Sequence, residues 1–483
     1  MALVYLGVGS AMLLCSAAGL LFDLIGYHRP GVDDGGTLAL LGSGLLALAL
    51  GGALVWWGRQ ATGDSFGRRE APLAVSAIWG GVSLLGALPF VFGAGIGPVD
   101  AVFEAASGFT TTGATIVADI EGTLSRPLLL WRSLMQWLGG MGIVVLFVAI
   151  FPNLGVAGKH MFRSEVPGVT AEGLQPRIRE TSSVLWRLYV GFTALEVVAL
   201  KVLGMSWFES VCHSFTTMST GGFSTRNASI GAYDSPAIEL VITGFMIIAG
   251  VNFGLYFGAI RSRRLGTLYR SPEFRVYLAL IAACTTALSV LILGNHGDLF
   301  ASARAAIFMV ATTVTSTGFG TDDYMAYPPA GLAVVLLLMW IGGCAGSTAG
   351  GMKVSRIILL IETARTMIRR TLRPAVVQVV RLEGRVVHDA VLLEVSTFFF
   401  LFMVCMAGGC MAVALTDGVS LPTAFGAMLT SLSNMGPAPF YEGTDNFASY
   451  SAFAKLLFCV AMIMGRLEFF TVIALLLPDV WRT

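Results

Sequence analysis

The sequence predicts an all-α polytopic membrane protein. Four pseudo-repeats of helix, re-entrant half-helix and helix surround one central pore, and two extra helices precede them. Three observations predict this: the composition, the lengths of the apolar runs, and a Thr/Ser/Gly string that recurs four times. Of 483 residues, 55% are hydrophobic and 12% charged, against about 25% charged in an ordinary soluble domain. A soluble protein of this length needs far more charge to cover its surface. Soluble enzymes, secreted disulfide scaffolds and disordered chains are therefore excluded. The formal net charge of +1 gives no hint of a nucleic-acid partner. The seven cysteines lie in or beside apolar runs without metal-ligand spacing, and read as small packing residues. The five histidines are scattered singly.

A spanning helix needs about 20 apolar residues. The first run, 2–22, lacks a basic n-region and reads as a retained span rather than a cleaved signal. With 37–58 it forms an N-terminal pair, residues 1–70. Spans at 72–94 and 127–150 belong to repeat 1 (71–180), and spans at 183–205 and 236–260 to repeat 2 (181–270). Repeat 3 (271–387) has a span at 275–294. It also has a broken one, because the short run 331–345 enters GGCAGSTAGG, Gly342 to Gly351, and resumes at 352–370. Such a break at membrane depth survives only where protein or a water-filled cavity takes up the freed backbone groups. Repeat 4 (388–483) has spans at 388–415 and 451–477, making ten in all. Segments 98–112, 207–220, 299–317 and 421–435 are too short to cross and suit half-helices that enter and turn back.

Lys and Arg in the loops set the orientation. With the N-terminus cytoplasmic, the inner loops carry twenty, from Arg59 to Arg385, and the outer loops four: Arg29, Arg126, Arg226 and Arg304. This places both termini inside and all four re-entrant segments on the outer side. Each repeat has two spans, so the repeats share one orientation and are related by an axis along the membrane normal.

The half-helices end in TTTGAT (Thr110 to Thr115), STGGFS (Ser219 to Ser224), STGFGT (Ser316 to Thr321) and SNMGPA (Ser433 to Ala438). Their glycines, Gly113, Gly221, Gly318 and Gly436, are 108, 97 and 118 residues apart. In the second string Gly221 and Gly222 both qualify; Gly221 is chosen because it follows Thr220 as Gly318 follows Thr317. Glycine is common here, 58 of 483 residues, so a single string carries little weight. Four on one side, each after a half-length helix, are a pattern. Around one axis they make a pore. A potassium ion leaving water needs oxygen ligands, which rings of backbone carbonyls supply. Turning carbonyls inward suits glycine, and Ser/Thr hydroxyls bond locally. A half-helix running inward also points the negative end of its dipole at the cation. The candidate ion-contacting residues are Thr111, Thr112, Gly113, Thr220, Gly221, Thr317, Gly318, Asn434, Met435 and Gly436.

These strings, with QWLGGMGI (Gln136 to Ile143), GVNFGLYF (Gly250 to Phe257), SPEFRVYL (Ser271 to Leu278), GGCAGSTAGGMKVSR (Gly342 to Arg356) and MGRLEFF (Met464 to Phe470), resemble the Trk/Ktr/HKT superfamily of potassium uptake proteins. The match runs from about residue 100 to 470, and the two extra N-terminal helices favour the TrkH/TrkG branch. The resemblance implies that each repeat is like a potassium-channel subunit, that one chain forms a whole pore, and that the protein is a homodimer in the bacterial inner membrane. Sodium-passing relatives carry Ser at the first filter glycine, where this chain has Gly113. The fourth string departs most from the others, and each offers fewer channel-like residues than TVGYG, so a sodium-permeable or sodium-coupled relative is the alternative reading.

Arg466 lies midway along the last span, where a charge costs at least about 2.5–3.5 kcal/mol and must face a cavity or partner. The resemblance puts an arginine here in the pore, as a positive barrier inside the filter; an ion pair is the competing role, although Glu468 points off another face. The broken stretch, with Gly342, Gly343, Gly346, Ser347, Thr348, Gly350, Gly351 and Lys353, is the candidate gate, against plain helix packing. Glu104, Glu209, Asp322 and Asp323 are candidates for concentrating cations at the outer mouth, and solvated loop charge is an equally good reading for any one of them. The sequence carries no Walker A and no GxGxxG after a strand-like run, so no cofactor is expected in this chain. The resemblance implies a separate cytoplasmic ring of TrkA-type subunits binding NAD(H) or adenine nucleotides. The basic inner loops, above all 353–385, are a candidate docking surface for it, with ordinary positive-inside charge as the equal alternative. A membrane enzyme would need a convergent acid/base or metal constellation, which the few intramembrane ionisable residues, Glu196, Lys201, Arg466 and Glu468, do not form.

Overall fold

The computed structural model describes residues 1–27, 35–59, 70–140, 142, 178–373, 379–382, 385–441, 446–467 and 469–478. Helices α1 (Ala2–Leu24) and α2 (Gly36–Gly58) form the N-terminal hairpin. They cross where small residues permit close approach: a Cβ on Gly9 would sit 2.9 Å from the Gly44 carbonyl oxygen, and one on Gly44 3.1 Å from that of Gly9.

The repeats follow in order. Repeat 1 is α3 (Glu70–Ala94), half-helix α4 (Pro98–Phe109) and α5 (Arg126–Gly140). Repeat 2 is α6 (Ile178–Val202), half-helix α7 (Trp207–Met218), α8 (Pro236–Ala249) and α9 (Phe253–Ser262). Repeat 3 is α10 (Pro272–Leu291), half-helix α11 (Leu299–Val314), α12 (Pro329–Trp340) and α13 (Val354–Leu372). Repeat 4 is α14 (Asp389–Asp417), half-helix α15 (Leu421–Ser433), α16 (Ala452–Leu467) and α17 (Phe469–Ile473). Between α13 and α14, in a basic segment expected as an inner loop, Arg381–Leu382 and Arg385–Val386 pair as a two-stranded antiparallel hairpin.

The half-helices start at strong signals. Ser206, Asp298 and Ser420 cap α7, α11 and α15 by accepting from the N–H of Glu209, Ala301 and Thr423, and α4 starts at Pro98. Each ends two or three residues before its expected limit, because the following string leaves the helical conformation. Burial is inside out relative to a soluble protein. The hydroxyl-bearing α15 is buried at ten of its 13 positions, whereas the long apolar α14 is buried at only seven of 29. The half-helices are thus the centre, and the apolar faces point outward, as lipid contact demands.

Among the described residues, six unbroken helices are long and apolar enough to cross a membrane, or seven if α8 and α9 are one span. The other expected spans are interrupted or only partly described. The expected continuous span 236–260 is a correction: its two halves meet at 89°. The break has a local cause, since Asn252 leaves the helix and caps α9, accepting from the Gly254 N–H at 2.7 Å. The expected break in repeat 3 is present, with α12 ending at Trp340 and α13 starting at Val354. Of the expected span 127–150, the part beyond Gly140 lies almost wholly outside the described residues, as do Glu468 and the basic residues Lys159, Arg163 and Arg177.

Candidate functional site: an ion filter above an intramembrane loop

The four strings turn alike. Thr112, Gly221, Thr317 and Met435 each donate their N–H to the carbonyl five residues back, at Ser107, Thr216, Thr312 and Thr430 (2.8–3.1 Å). The residue before each has positive φ: Thr111 56°, Thr220 54°, Ser316 53° and Asn434 51°. The residue after is Gly113, Gly222, Gly318 or Gly436, and the first three have φ of 81°, 75° and 81°. This fixes the phase of the second string. The equivalent of Gly113 is Gly222, and the Thr-Gly pairing that pointed to Gly221 is misleading by one residue. Gly221 instead matches Thr112, Thr317 and Met435.

These glycines pack into a closed ring. A Cβ on Gly113 would collide with the Gly221 carbonyl, and one on Gly222 with that of Thr317. One on Gly318 would sit 2.9 Å from the Gly436 nitrogen, and one on Gly436 2.7 Å from the Gly113 oxygen. Any side chain there intrudes on the neighbouring string. Asn434 ties the fourth string to the first, donating to the Thr112 hydroxyl and the Met462 carbonyl at 2.9 Å each. Hydroxyls on three half-helices brace the chain just after the glycine. Ser107 donates to Ala114 O at 2.6 Å, Thr312 to Phe319 O at 3.1 Å and Thr430 to Pro437 O at 3.3 Å.

Inside this ring lies the loop joining α12 to α13. Its neck is stapled by Gly342 N–H to Met352 O (2.8 Å) and Met352 N–H to Trp340 O (3.1 Å). Its tip meets the other broken helix: Cys344 N–H donates to Gly250 O at 2.8 Å, and Phe253 N–H to Gly346 O at 3.1 Å. Upward it touches the half-helix ends. The Thr348 hydroxyl donates to Met218 O at 3.1 Å, the Gly350 N–H to the Ser316 hydroxyl at 2.5 Å, and a Cβ on Gly350 would lie 2.8 Å from that of Asn434. Lys353 reaches back to the Ala349 carbonyl. Arg466 donates to Thr348 O (2.9 Å), Gly139 O (2.6 Å) and Gly140 O (2.8 Å), so it bridges the loop and the inner end of α5.

The sequence reading missed Glu273, which accepts from the Ala345 and Ser355 N–H groups at 2.8 and 3.0 Å and clasps both ends of the loop. Its position at the start of a span was the available signal. Glu104 is a second correction. It is fully buried and paired with Arg132 at 2.6 Å, so it is no mouth charge; a carboxylate on a half-helix matched by an arginine in span 127–150 was the signal. Glu209 lies nearer the surface. Burial raises its pKa, but the charge of Arg226 at 2.6 Å and hydrogen bonds from Ser206 and Arg226 outweigh this and hold it below the ordinary value. Asp322 accepts from the Tyr327 hydroxyl at 2.9 Å, and Asp323 from the Met325 N–H. Among the described residues no group of His, Cys, Asp or Glu is arranged to hold a metal ion.

Residues 41–479 match the family model described as TrkH, cation transport protein. The chain is 38% identical over 460 residues to the Trk system potassium uptake protein TrkH of Salmonella typhimurium, covering 93% of each. It is 33% identical to the Trk system potassium uptake protein TrkG of Escherichia coli, covering 90% of this chain and 89% of that one. The crystal structure of the potassium transporter TrkH from Vibrio parahaemolyticus superposes with a TM-score of 0.85 at 32% identity, covering 99% of both chains. These relatives are transporters rather than enzymes. A four-repeat pore fold and sequence similarity along nearly its whole length together place this chain in the TrkH family of cation transport proteins.

Proposed function

We propose that this chain carries potassium inward across a bacterial inner membrane, through one pore built by its four repeats. The observation that carries this reading is the closed ring of Gly113, Gly222, Gly318 and Gly436. Such a ring brings four backbone strings close enough for their carbonyls to replace the hydration shell of a dehydrated cation. Thr111, Thr112, Thr220, Gly221, Thr317, Asn434 and Met435 complete the filter. The half-helix carboxyl ends converge on it and favour a cation. The names of its relatives supply potassium as the ion. The functional division is an N-terminal pair at 1–70 and pore repeats at 71–180, 181–270, 271–387 and 388–483.

The loop from Gly342 to Gly351, with Lys353 and Arg466, acts as the gate. It sits under the half-helix ends, and its glycines let it withdraw at small steric cost. Opening is governed by a separate cytoplasmic ring of TrkA-type subunits carrying NAD(H) or an adenine nucleotide, docked near the basic segment 353–385. The chain itself holds no cofactor. It works as a homodimer with a pore in each protomer and both termini in the cytoplasm.

The test is growth of a potassium-uptake-deficient bacterium at low external potassium, paired with uptake of potassium and sodium into vesicles. The intact chain restores growth and takes up potassium in preference to sodium, and Gly113→Ser lowers that preference. Equal flux of both ions through the intact chain would overturn potassium selectivity and favour the sodium-permeable reading. A Gly113→Ser variant with unchanged flux and preference would remove the filter assignment.

A further inference from the structure

String two is held differently from the other three. Its half-helix hydroxyl, Thr216, bonds back into its own helix at Cys212 O and His213 O (3.2 and 3.1 Å) instead of reaching forward to the string. A side chain from repeat 1 takes over. Gln136, on α5 and fully buried, donates from Nε2 to the Gly221 carbonyl at 2.7 Å and accepts at Oε1 from the Phe223 N–H at 3.0 Å. These two bonds bracket Gly222. One helical turn earlier, Arg132 donates to the Ser224 carbonyl at 3.0 Å and lies 3.5 Å from the centre of the Phe223 ring. Glu104 neutralises Arg132 and accepts from the Ile116 N–H at 3.0 Å, just past the first string.

The geometry assigns to Gln136 the role of a specificity-positioning residue that sets the ion preference of the filter through string two. This rests on the filter reading given above. The Gly221 oxygen is the atom a Cβ on Gly113 would strike, so it lies at the contact between strings one and two. Its position and its strength as an ion ligand both depend on the donor behind it. The Gly-Gly pair then has two separate causes. Gly222 supplies the positive φ, and Gly221 leaves room for the carboxamide, since a Cβ there would lie 2.5 Å from Gln136 Oε1 and 2.8 Å from Nε2. The orientation of the amide is set by its partners, because only the oxygen can accept from an N–H and only the nitrogen can donate to a carbonyl.

The experiment measures potassium and sodium uptake into vesicles holding the full chain as Gln136→Ala, Gln136→Glu or Gly221→Ala, with Gly113→Ser alongside and melting followed for each. Gln136→Glu keeps the shape and the acceptor but loses the donor, so it tests the inference if Gln136→Ala does not fold. The potassium-to-sodium flux ratio is expected to fall about fivefold in both Gln136 variants, the factor matching one lost hydrogen bond. Gly221→Ala is expected to lower the ratio similarly, and adding Gln136→Ala to it to bring little further loss. A folded Gln136 variant with an unchanged ratio, while Gly113→Ser shifts its own, would overturn the role of Gln136 and leave the filter standing. Unchanged ratios in both Gln136 and Gly113→Ser variants would instead sink the filter reading.

Discussion

Arg466 directs its guanidinium at three carbonyl oxygens drawn from two elements, which fixes a positive charge beneath the ring of strings and latches the loop to α5. Charge-assisted hydrogen bonds contribute about 1.5–3 kcal/mol each, so Arg466→Ala is expected to raise potassium flux through the chain alone by about tenfold. Tracer uptake into vesicles checks this, and an unaltered flux would remove the barrier. At the outer rim, Glu209 has its pKa depressed in the folded chain. Its stabilising contribution is therefore complete above the unfolded value of about 4.3 and fades as pH falls through the lower folded one. Its partner Arg226 is 39% exposed, which limits the pair to about 0.5–1 kcal/mol. Melting curves of Glu209→Gln and the parent chain are expected to differ at pH 7 and to converge once pH falls below the depressed folded value. At this scale the sequence was half legible. The four strings were visible, but the phase of STGGFS was not, because adjacency of Thr and Gly says nothing about which peptide turns over. Glu104 was misplaced for a related reason, since its partner Arg132 stands 28 residues away.

Two inner helices are broken, and each break completes the other. Gly250 O takes the Cys344 N–H, and Phe253 N–H finds Gly346 O, so backbone groups freed in one helix are satisfied by the other, as low-dielectric surroundings require. The repeat-3 break was legible because GGCAGSTAGG has no helical alternative. The repeat-2 break was not, because Gly250 and Asn252 are two ordinary residues in a long apolar run, and only the cap geometry of Asn252 shows that the helix restarts. Removing that cap costs about 1 kcal/mol. Asn252→Ala is accordingly expected to loosen the loop and raise flux about fivefold, with the potassium-to-sodium ratio unchanged. Flux and ratio measured together check this, and a changed ratio would mean that the break acts on the filter.

The whole molecule places its hydroxyl-rich half-helices at the centre and its apolar helices outside, with α1 and α2 set apart from the ring of strings. Composition and run lengths made this arrangement legible, since a chain so poor in charge has no other surface to offer but lipid. Gly9→Leu is expected to overpack the α1–α2 crossing, at a cost of about 1–3 kcal/mol, and to lower the melting temperature. The flux ratio is expected to stay unchanged because the crossing is set apart from the ring of strings, and vesicle uptake beside a melting curve tests both halves.

The bond from Asn434 to Thr112 joins residues 322 positions apart, and it has a consequence for synthesis. The first string leaves the ribosome long before the last, so three quarters of the ring wait in the bilayer for a partner not yet translated. An ion path with four finished walls exists only once the final repeat has inserted. A chain cut short before residue 434 thus lacks a complete ring of strings, whatever its earlier helices have become.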